Sequence, residues 1–363
     1  MKSPHLTPEV AGRDWLGWAV LSLSLLVTVL AWFMAQQAID KRAEDRFNFE
    51  VLDAEERIKI RMVEYEQALR GGVALINAQG LPSAPVWKQY VDSLRLQDVF
   101  PGIQGFAFAL RVDSGNLDAH VQDLHAQGFA DYQVSPPGDR ALSFPIVRIE
   151  PFDQRNQRAF GYDMFSEPVR RAAMLAAMES GQTAVSGLVQ LKQEDQHDPQ
   201  PGFLMYLPVY QQGMPVSDPA QRRDAIIGFV YSPFRAGDLF KNVLGDDNIP
   251  LSFRLYDAET PMSESLMYDS REKRATGGSP VAYVSRHSAT VPIELAGRTW
   301  IGQFESTADF DRDVHNNTPL LILLAGGVID VLLFAIITSL ARQRQRLAAS
   351  NEQLSVSDAR QNG

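Results

Sequence analysis

Two long apolar segments stand near the ends of this chain. The first covers residues 15–39 and has no charged residue, and the second covers residues 318–341 and contains one acid, Asp330. Each is long enough to cross the roughly 30 Å hydrocarbon core of a bilayer as a helix. A cleaved signal peptide, the alternative for the first segment, would have a shorter apolar core. The pattern therefore predicts transmembrane helices over residues 15–37 and 318–341, with the lipid bilayer as a partner.

After the first span, the pattern follows a helical period. Apolar or small residues recur at steps of three and four, and charged residues lie between them. Such a stripe predicts an amphipathic helix with one buried face. We expect a stalk helix over residues 38–79, whose stripe serves a partner copy in a homodimer or the domain that the helix carries. The stripe comprises Phe47, Val51, Ala54, Ile58, Met62, Tyr65, Leu69, Val73 and Ile76.

Beyond the stalk, short apolar runs alternate with turns. In the stretch FPGIQGFAFALRV, large apolar residues share one face of a predicted strand and small residues the other. The stretch SEPVRRAAMLAAMESG predicts a helix with Ser166 as its N-cap and Gly181 after its end. This mixture predicts an α+β module with an antiparallel sheet over residues 80–248. Further strand candidates are Leu142 to Ile149, Thr183 to Leu191, Gly202 to Val209 and Ala225 to Tyr231.

A second, smaller set of strand candidates follows over residues 249–308. These are the runs LSFRLYD, VAYVSRH, TVPIELAG and RTWIGQF. We expect a second module with its own antiparallel sheet, joined to the first through a helix around residues 234–244. A linker helix over residues 309–317 then leads into the second span.

The charges that flank the spans predict their orientation. Arg342, Arg344 and Arg346 directly follow the second span, and basic flanks stay in the cytoplasm. Two spans then place both termini, residues 1–14 and 342–363, in the cytoplasm and the central domain outside. We expect a protein of the bacterial inner membrane with a periplasmic central domain.

Composition excludes several classes of function. The net charge of −10 argues against nucleic-acid partners, and the absence of cysteine excludes disulfides and thiolate metal sites. The sequence has no P-loop, HExxH or GxSxG motif, so we expect no catalytic residue, no cofactor and no enzymatic activity. Glu194, Asp195, His197 and Asp198 form a polar run that could hold a divalent ion. A solvated loop is the favoured interpretation, and no metal site is predicted.

Five stretches, in order, resemble the CHASE domain, an extracellular sensory module of bacterial and plant receptor kinases and cyclases. They are FPGIQGFAFALRV, RAFGYDMFSEPVRRAA, ESGQTAVSGLVQLKQE, GFLMYLPVY and IIGFVYSPFRAGDLF, within residues 50–244. The resemblance implies a stalk helix followed by two PAS-like modules, with a small-molecule ligand in the membrane-distal one. The stretch LSVSDAR resembles the linker that leads into a cytoplasmic output domain. We expect either a receptor without its output half or an input subunit for output domains on another protein.

The resemblance also points to binding residues. In the plant members, which bind cytokinin, an acid near the start of the helix contacts the adenine ring, and Arg170 stands at that position here. A guanidinium only donates hydrogen bonds and prefers carboxylate or phosphate, which makes cytokinin doubtful and favours an anionic ligand if Arg170 faces the pocket. Ser186 and Tyr206 align with ligand-lining threonines. Tyr162 and Tyr231 join them because a ring with a hydroxyl suits a small-molecule pocket. The alternatives are a solvated helix face for Arg170 and core packing for the others.

These observations predict a membrane-bound periplasmic sensor. It would bind a small molecule and transmit a conformational signal to a cytoplasmic kinase or cyclase. A membrane-anchored scaffold that recognises a protein or an envelope component without signalling is the alternative. A third interpretation, a chemoreceptor, requires a signalling domain after the second span.

Overall fold

The structure is a computed structural model that describes residues 15–138, 140–194, 199–245, 249–271, 283–315 and 317–361. The chain divides into two compact units. One covers Phe47–Ala308, and the other combines the segments before and after it. The predicted cytoplasmic N-terminal flank, residues 1–14, lies outside the described residues, as do residues 195–198 of the polar run.

Helix α1 runs without interruption from Trp15 to Gln79 and so includes both the predicted span and the predicted stalk. The residue that follows the helix is Gly80, whose φ of 78° is typical of the position just after a helix C-terminus. The Gly71-Gly72 pair does not interrupt it. A Cβ at Gly72 would lie 2.8 Å from the ring of Phe106 and 3.0 Å from Val230. Glycine at this position therefore permits the close approach of α1 to a sheet.

The apolar stripe of α1 packs on the domain that the helix carries. Every residue of the predicted stripe is buried except Val73, which is half-buried. The ring of Tyr65 lies 4.9 Å from that of Phe234, and its hydroxyl donates to the carbonyl of Pro101. On the opposite face, however, large apolar side chains are exposed. They are Phe49, Leu52, Ile60 and Val63.

The first module is built on a five-stranded antiparallel sheet. Its strands are β1 (Phe106–Leu110), β4 (Ile146–Glu150), β5 (Ala184–Val185), β6 (Gly202–Tyr210) and β7 (Ile226–Arg235), in the order β4-β1-β7-β6-β5. β2 (Val112–Asp113) and β3 (Leu142–Ser143) form a separate ribbon. The helices are α2 (Ala84–Leu94), α3 (Leu96–Val99), α4 (Leu117–Ala126), α5 (Gln154–Gln157), α6 (Pro168–Ser180), α7 (Pro219–Ala225) and α8 (Ala236–Leu244).

The two faces of β1 meet different partners, as the sequence pattern predicts. Phe106 packs 5.6 Å from the ring of Trp87 on α2, whereas Ala107 and Ala109 belong to the core cluster that includes one face of α6. The small alanine side chains leave room on that face for larger neighbours. Since α6 covers one face of the sheet and α2 the other, the space between the sheet and α6 is enclosed and can hold a site.

Three local predictions for the first module were wrong. The strand predicted over Leu142 to Ile149 is divided between β3 and β4, with Pro145 between them. The run from Thr183 is a strand only in β5, and after it Val189 pairs with Gly202 of β6 as an isolated antiparallel bridge. The N-cap of α6 is Glu167, whose carboxylate accepts from the amides of Val169 and Arg170. Ser166 instead donates its hydroxyl to the carbonyl of Asp163, 2.6 Å away.

The second module contains a four-stranded antiparallel sheet. Its strands are β8 (Leu251–Tyr256), β9 (Leu266–Asp269), β10 (Ser288–Leu295) and β11 (Arg298–Ser306), in the order β10-β11-β8-β9. The prediction of a strand at VAYVSRH was wrong. Residues 283–287 of that run are not in a strand, and residues 281–282 lie outside the described residues. The edge position belongs instead to β9, whose run LMYD is too short to stand out as an apolar pattern.

The other unit contains two apolar helical segments. The first part of α1 and α10 (Thr318–Gln361), which follows α9 (Ala308–Val314), are long and apolar enough to span a membrane, with mean hydropathies of 2.1 and 2.8 in their most apolar windows. Asp330 is buried, and its carboxylate accepts from the hydroxyl of Thr28, 3.0 Å away. A partner within the chain thus compensates the acid in the second span. The predicted α+β class, with a long N-terminal helix and two antiparallel sheets between apolar helices, is confirmed.

Candidate functional site

A row of side chains crosses the first sheet beneath α6. Tyr206 on β6 and Tyr231 on β7 are directly paired across the strands, and their ring centroids are 5.6 Å apart. The row continues to Ala107 on one side and Ala184 on the other. These two alanines flank the tyrosines with little bulk, so the rings have space to extend toward α6.

Arg170 points from the first turn of α6 into the same region. Its side chain is buried, while that of Arg171 is exposed, so the alternative of a solvated face applies to Arg171 alone. One guanidinium nitrogen, Nη2, donates to the carbonyl of Gln190 at 2.8 Å, and Nη1 lies 3.4 Å from the carboxylate of Glu167. The guanidinium carbon stands 5.4 Å from the ring centroid of Tyr162.

A small cavity of about 10 Å³ lies between these groups. This is the space of about one water molecule. Tyr162, Arg170 and Tyr231 line it, together with the apolar residues Ile146, Ala159, Met164, Leu191 and Leu204 and the polar residues Lys192 and Gln193. The ammonium of Lys192 lies 4.5 Å from the ring centroid of Tyr162. Two cationic side chains thus flank one aromatic ring at the edge of the cavity.

Three buried polar atoms at this place lack a hydrogen-bond partner within the described part of the chain. They are Nε of Arg170 and the hydroxyls of Tyr206 and Tyr231. A buried polar group without a partner costs about 1–3 kcal/mol, and native structures contain few of them. Their convergence beside one cavity distinguishes this place from an ordinary core.

Burial raises the pKa of Tyr206 and of Tyr231 well above the usual value, and the charge of Arg170 only partly offsets this. Both hydroxyls therefore remain protonated at neutral pH and can donate a hydrogen bond. Together with the Nε–H of Arg170, they present three buried donors between α6 and the sheet. Such a donor set suits an acceptor that carries negative charge.

Ser186, the remaining predicted site residue, lies apart from the cavity lining. Its hydroxyl donates to the carbonyl of Gly187 at 2.8 Å and accepts from the amide of Leu204 at 2.9 Å. The side chain thereby fixes the segment after β5 to β6. Sequence reasoning missed Lys192, although its position directly after the apolar run AVSGLVQL marks the point at which the chain leaves the core.

The segment after β5 also contacts the second module. The amide of Leu188 donates to the carboxylate of Asp257 at 3.0 Å, and the same carboxylate accepts two bonds of 2.7 Å from Arg298. A wide groove of about 960 Å³ lies beside this contact, with Ala172 of α6 on one wall and Glu264 on the other. One segment therefore connects the cavity to the second sheet.

Several solved structures resemble the chain. An extracellular ligand-binding receptor from Desulfohalobium retbaense matches with a TM-score of 0.42 and 10% identity over 72% of this chain, which spans 40% of that receptor. The periplasmic sensory domain of the Campylobacter jejuni chemoreceptor Tlp1 gives 0.39 and 9%, over 77% of this chain and 99% of that domain. The ligand-binding domain of the Pseudomonas aeruginosa amino-acid chemoreceptor PctC, in complex with GABA, gives 0.36 and 12%, over 69% and 94%.

No curated protein sequence matches the chain. The model of the CHASE domain, in contrast, matches residues 83–268. The matched segment begins just before α2, contains the cavity, and extends through β8 to β9 of the second module. It covers just over half of the chain, and all five stretches that resemble this family lie within it. The chain therefore belongs to the CHASE domain family.

Proposed function

We propose that this protein is a membrane-bound sensor of a small organic anion. The ligand would bind between α6 and the first sheet, with its carboxylate on Arg170 and the hydroxyls of Tyr206 and Tyr231. The observation that carries the proposal is the grouping of three buried donors that lack partners in the described chain, since Arg170 and Tyr231 line one small cavity and Tyr206 is paired with Tyr231. An anion would satisfy all three at once, whereas the cytokinin ring offers no negative charge to the guanidinium.

The cavity must enlarge to admit such a ligand. Pockets for small molecules usually enclose several hundred Å³, far more than the space present here. Leu191, Lys192 and Gln193 form a part of the cavity wall that lies in neither a strand nor a helix. In the proposal this segment moves outward and Lys192 adds a second positive charge at the entrance.

A movement of residues 191–193 would also affect the second module, to which the preceding residues are hydrogen-bonded. The carbonyl of Gln190 holds Arg170, and Leu188, two residues earlier, is bonded to Asp257. A ligand that competes for the guanidinium would favour one arrangement of this connection over another. Differential affinity for two arrangements is what a signalling mechanism requires. We propose that the apolar helices pass this change to a cytoplasmic output protein or domain, with both termini inside, and that the protein itself is not an enzyme.

A thermal-shift screen of the full-length protein in detergent tests the binding proposal. We expect small carboxylates to raise the Tm, while their uncharged amides do not. A ligand at 100 times its Kd adds about 2.7 kcal/mol to the free energy of unfolding. Equal stabilisation by acids and amides, or by a cytokinin, would refute an anion site. No stabilisation by any compound would favour the alternative of a membrane-anchored scaffold.

We also propose that the protein is a homodimer through the exposed face of α1. Phe49, Leu52, Ile60 and Val63 lie on one side of the helix, opposite the buried stripe. Since the first apolar segment and this face belong to one helix, anchoring in the same membrane would bring two copies together and favour their pairing. Four large apolar side chains on one helical face favour such pairing.

The double variant Leu52→Glu and Ile60→Glu is expected to be monomeric where the wild type is dimeric. The change places buried negative charges against each other in the interface, which is unfavourable. Sedimentation of the detergent-solubilised protein measures the outcome. Arg57→Glu is the matched control because it changes the net charge by the same amount on a different helical face. A wild-type monomer, or a variant that still dimerises, would exclude this interface.

A further inference from the structure

A second concave surface lies between α2 and the end of β4, with no residue in common with the cavity beneath α6. It encloses about 590 Å³ and is lined mainly by apolar side chains. Phe129, Phe152 and Phe160 form one wall, with ring centroids 4.9 to 6.0 Å apart. Trp87 and Lys88 contribute the opposite side from α2. Its volume is in the range of small-molecule sites, and its walls have the aromatic character of such sites.

Glu150, the last residue of β4, provides a carboxylate within this groove. Its side chain is 8% exposed, and one carboxylate oxygen accepts from the amide of Phe152 at 2.9 Å. Across the described ranges, no basic side chain lies within ion-pair distance of it. A carboxylate in apolar surroundings without a cation is unusual, because desolvation without compensation is costly.

The basic groups nearest to Glu150 are engaged elsewhere. Lys88 on α2 forms an ion pair of 2.6 Å with Asp92. Arg148, on the same strand, donates to the carbonyls of Pro82 and Val147 and to the side chain of Gln127. The carboxylate of Asp153, in the turn after β4, caps α5 by accepting from the amide of Asn156. Glu150 therefore faces a groove whose other charged groups already have partners.

We propose that this groove binds an organic ammonium ion with an aromatic or aliphatic body, and that Glu150 holds the ammonium group. The rings of Phe129, Phe152 and Phe160 would cover the apolar body and attract the cation through their faces. An ammonium group supplies the positive charge and the hydrogen-bond donors that the free carboxylate oxygen lacks. The site would give the protein a second ligand, of opposite charge to the one proposed beneath α6.

Isothermal titration of the full-length protein in detergent with three probes that share a phenyl ring and differ in charge tests this inference. They are phenethylammonium, uncharged 2-phenylethanol and anionic phenylacetate. We expect phenethylammonium to bind about tenfold or more tightly than the other two, because only it pairs with the carboxylate. Glu150→Gln should remove this preference. Equal binding of the alcohol and the ammonium ion, or no binding of the ammonium ion, would overturn the proposal.

Burial raises the pKa of the Glu150 carboxyl, and the charge of Asp92 adds to this, while the amide of Phe152 and the charge of Lys88 oppose it. Only the ionised carboxylate attracts the cation. The affinity for phenethylammonium should therefore fall as the pH is lowered through this pKa, beginning at a higher pH than for an ordinary glutamate, whose pKa is about 4.3. Affinity that does not change between about pH 7 and pH 4 would contradict a role of Glu150.

Two variants serve as controls. Glu264→Gln makes the same change at an exposed position in the groove beside α6 and should leave the affinity for phenethylammonium unchanged. Phe152→Ala removes a ring that is 37% exposed, so the fold should tolerate it, and the affinity should fall several-fold. An unchanged affinity in Phe152→Ala would refute the aromatic wall even if Glu150→Gln failed to fold. Stabilisation by carboxylates should persist in Glu150→Gln, which separates this site from the cavity beneath α6.

Discussion

Replacing Arg170 with methionine is expected to weaken the binding of a stabilising carboxylate by about 30-fold or more. Removing one partner of a buried charge pair costs about 2–5 kcal/mol, and about 1.4 kcal/mol corresponds to a factor of ten in Kd. Arg170 is buried, lines the cavity and has an Nε–H without a partner in the described structure, so the ligand would gain a bond that methionine cannot replace. Titration calorimetry of the wild type and the variant gives the two dissociation constants.

Arg171→Met is the matched control for this experiment. It removes the same type of side chain from the adjacent residue of the same helix, but Arg171 is exposed. Its Kd should equal that of the wild type. A similar loss of affinity in both variants would indicate long-range electrostatic attraction and not a contact in the cavity.

Stability distinguishes a binding role of Arg170 from a structural one. Removing one partner of a buried ion pair is costly when the other partner stays buried, but the groups that Arg170 would leave, the Glu167 carboxylate and the carbonyl of Gln190, belong to residues that water reaches. We therefore expect the free energy of unfolding of Arg170→Met to lie within about 1 kcal/mol of that of the wild type, although the variant binds the carboxylate much more weakly. A large loss of stability would show that its bonds to Gln190 and Glu167 mainly hold α6 in place.

The fold was largely predictable because its strongest signals are periodic. The uninterrupted apolar segments and the steps of three and four before Ile76 correspond to α1 and α10, and the alternation after Phe100 corresponds to the first sheet. The failures occurred where a single local group decides the structure. Pro145 lies where β3 and β4 separate, and Glu167 caps α6 in place of Ser166 because its longer side chain reaches two amides.

The candidate site was predictable only in part. Tyr162, Arg170 and Tyr231 line one cavity, and Tyr206 pairs with Tyr231, but no periodicity in the sequence relates residues on three separate elements. Lys192 and the groove around Glu150 depend on how loops and strand ends come together. Such placements follow from tertiary packing, which a pattern along one chain does not encode.

Asp163→Ala is expected to lower the free energy of unfolding by about 3–5 kcal/mol, the usual cost of breaking a buried ion pair. Asp163 is fully buried, and its two neighbours in sequence, Tyr162 and Met164, both line the cavity. One carboxylate oxygen accepts from the amides of Phe144 and Phe165, at 2.8 and 3.0 Å, and the other accepts from Nε of Arg140 at 2.8 Å. Alanine would leave two amides and a guanidinium without their acceptor.

Urea unfolding of the full-length protein, followed by tryptophan fluorescence, measures this effect. Asp131→Ala removes an exposed carboxylate of the same module and should change the free energy of unfolding by less than about 0.5 kcal/mol. Asp163→Asn should lie between the two, because an amide oxygen can still accept from Phe144 while its nitrogen cannot pair with Arg140. If Asp163→Ala were as stable as Asp131→Ala, the carboxylate would not be what holds the Tyr162 segment against the sheet, and the shape of the cavity would have to depend on apolar packing alone.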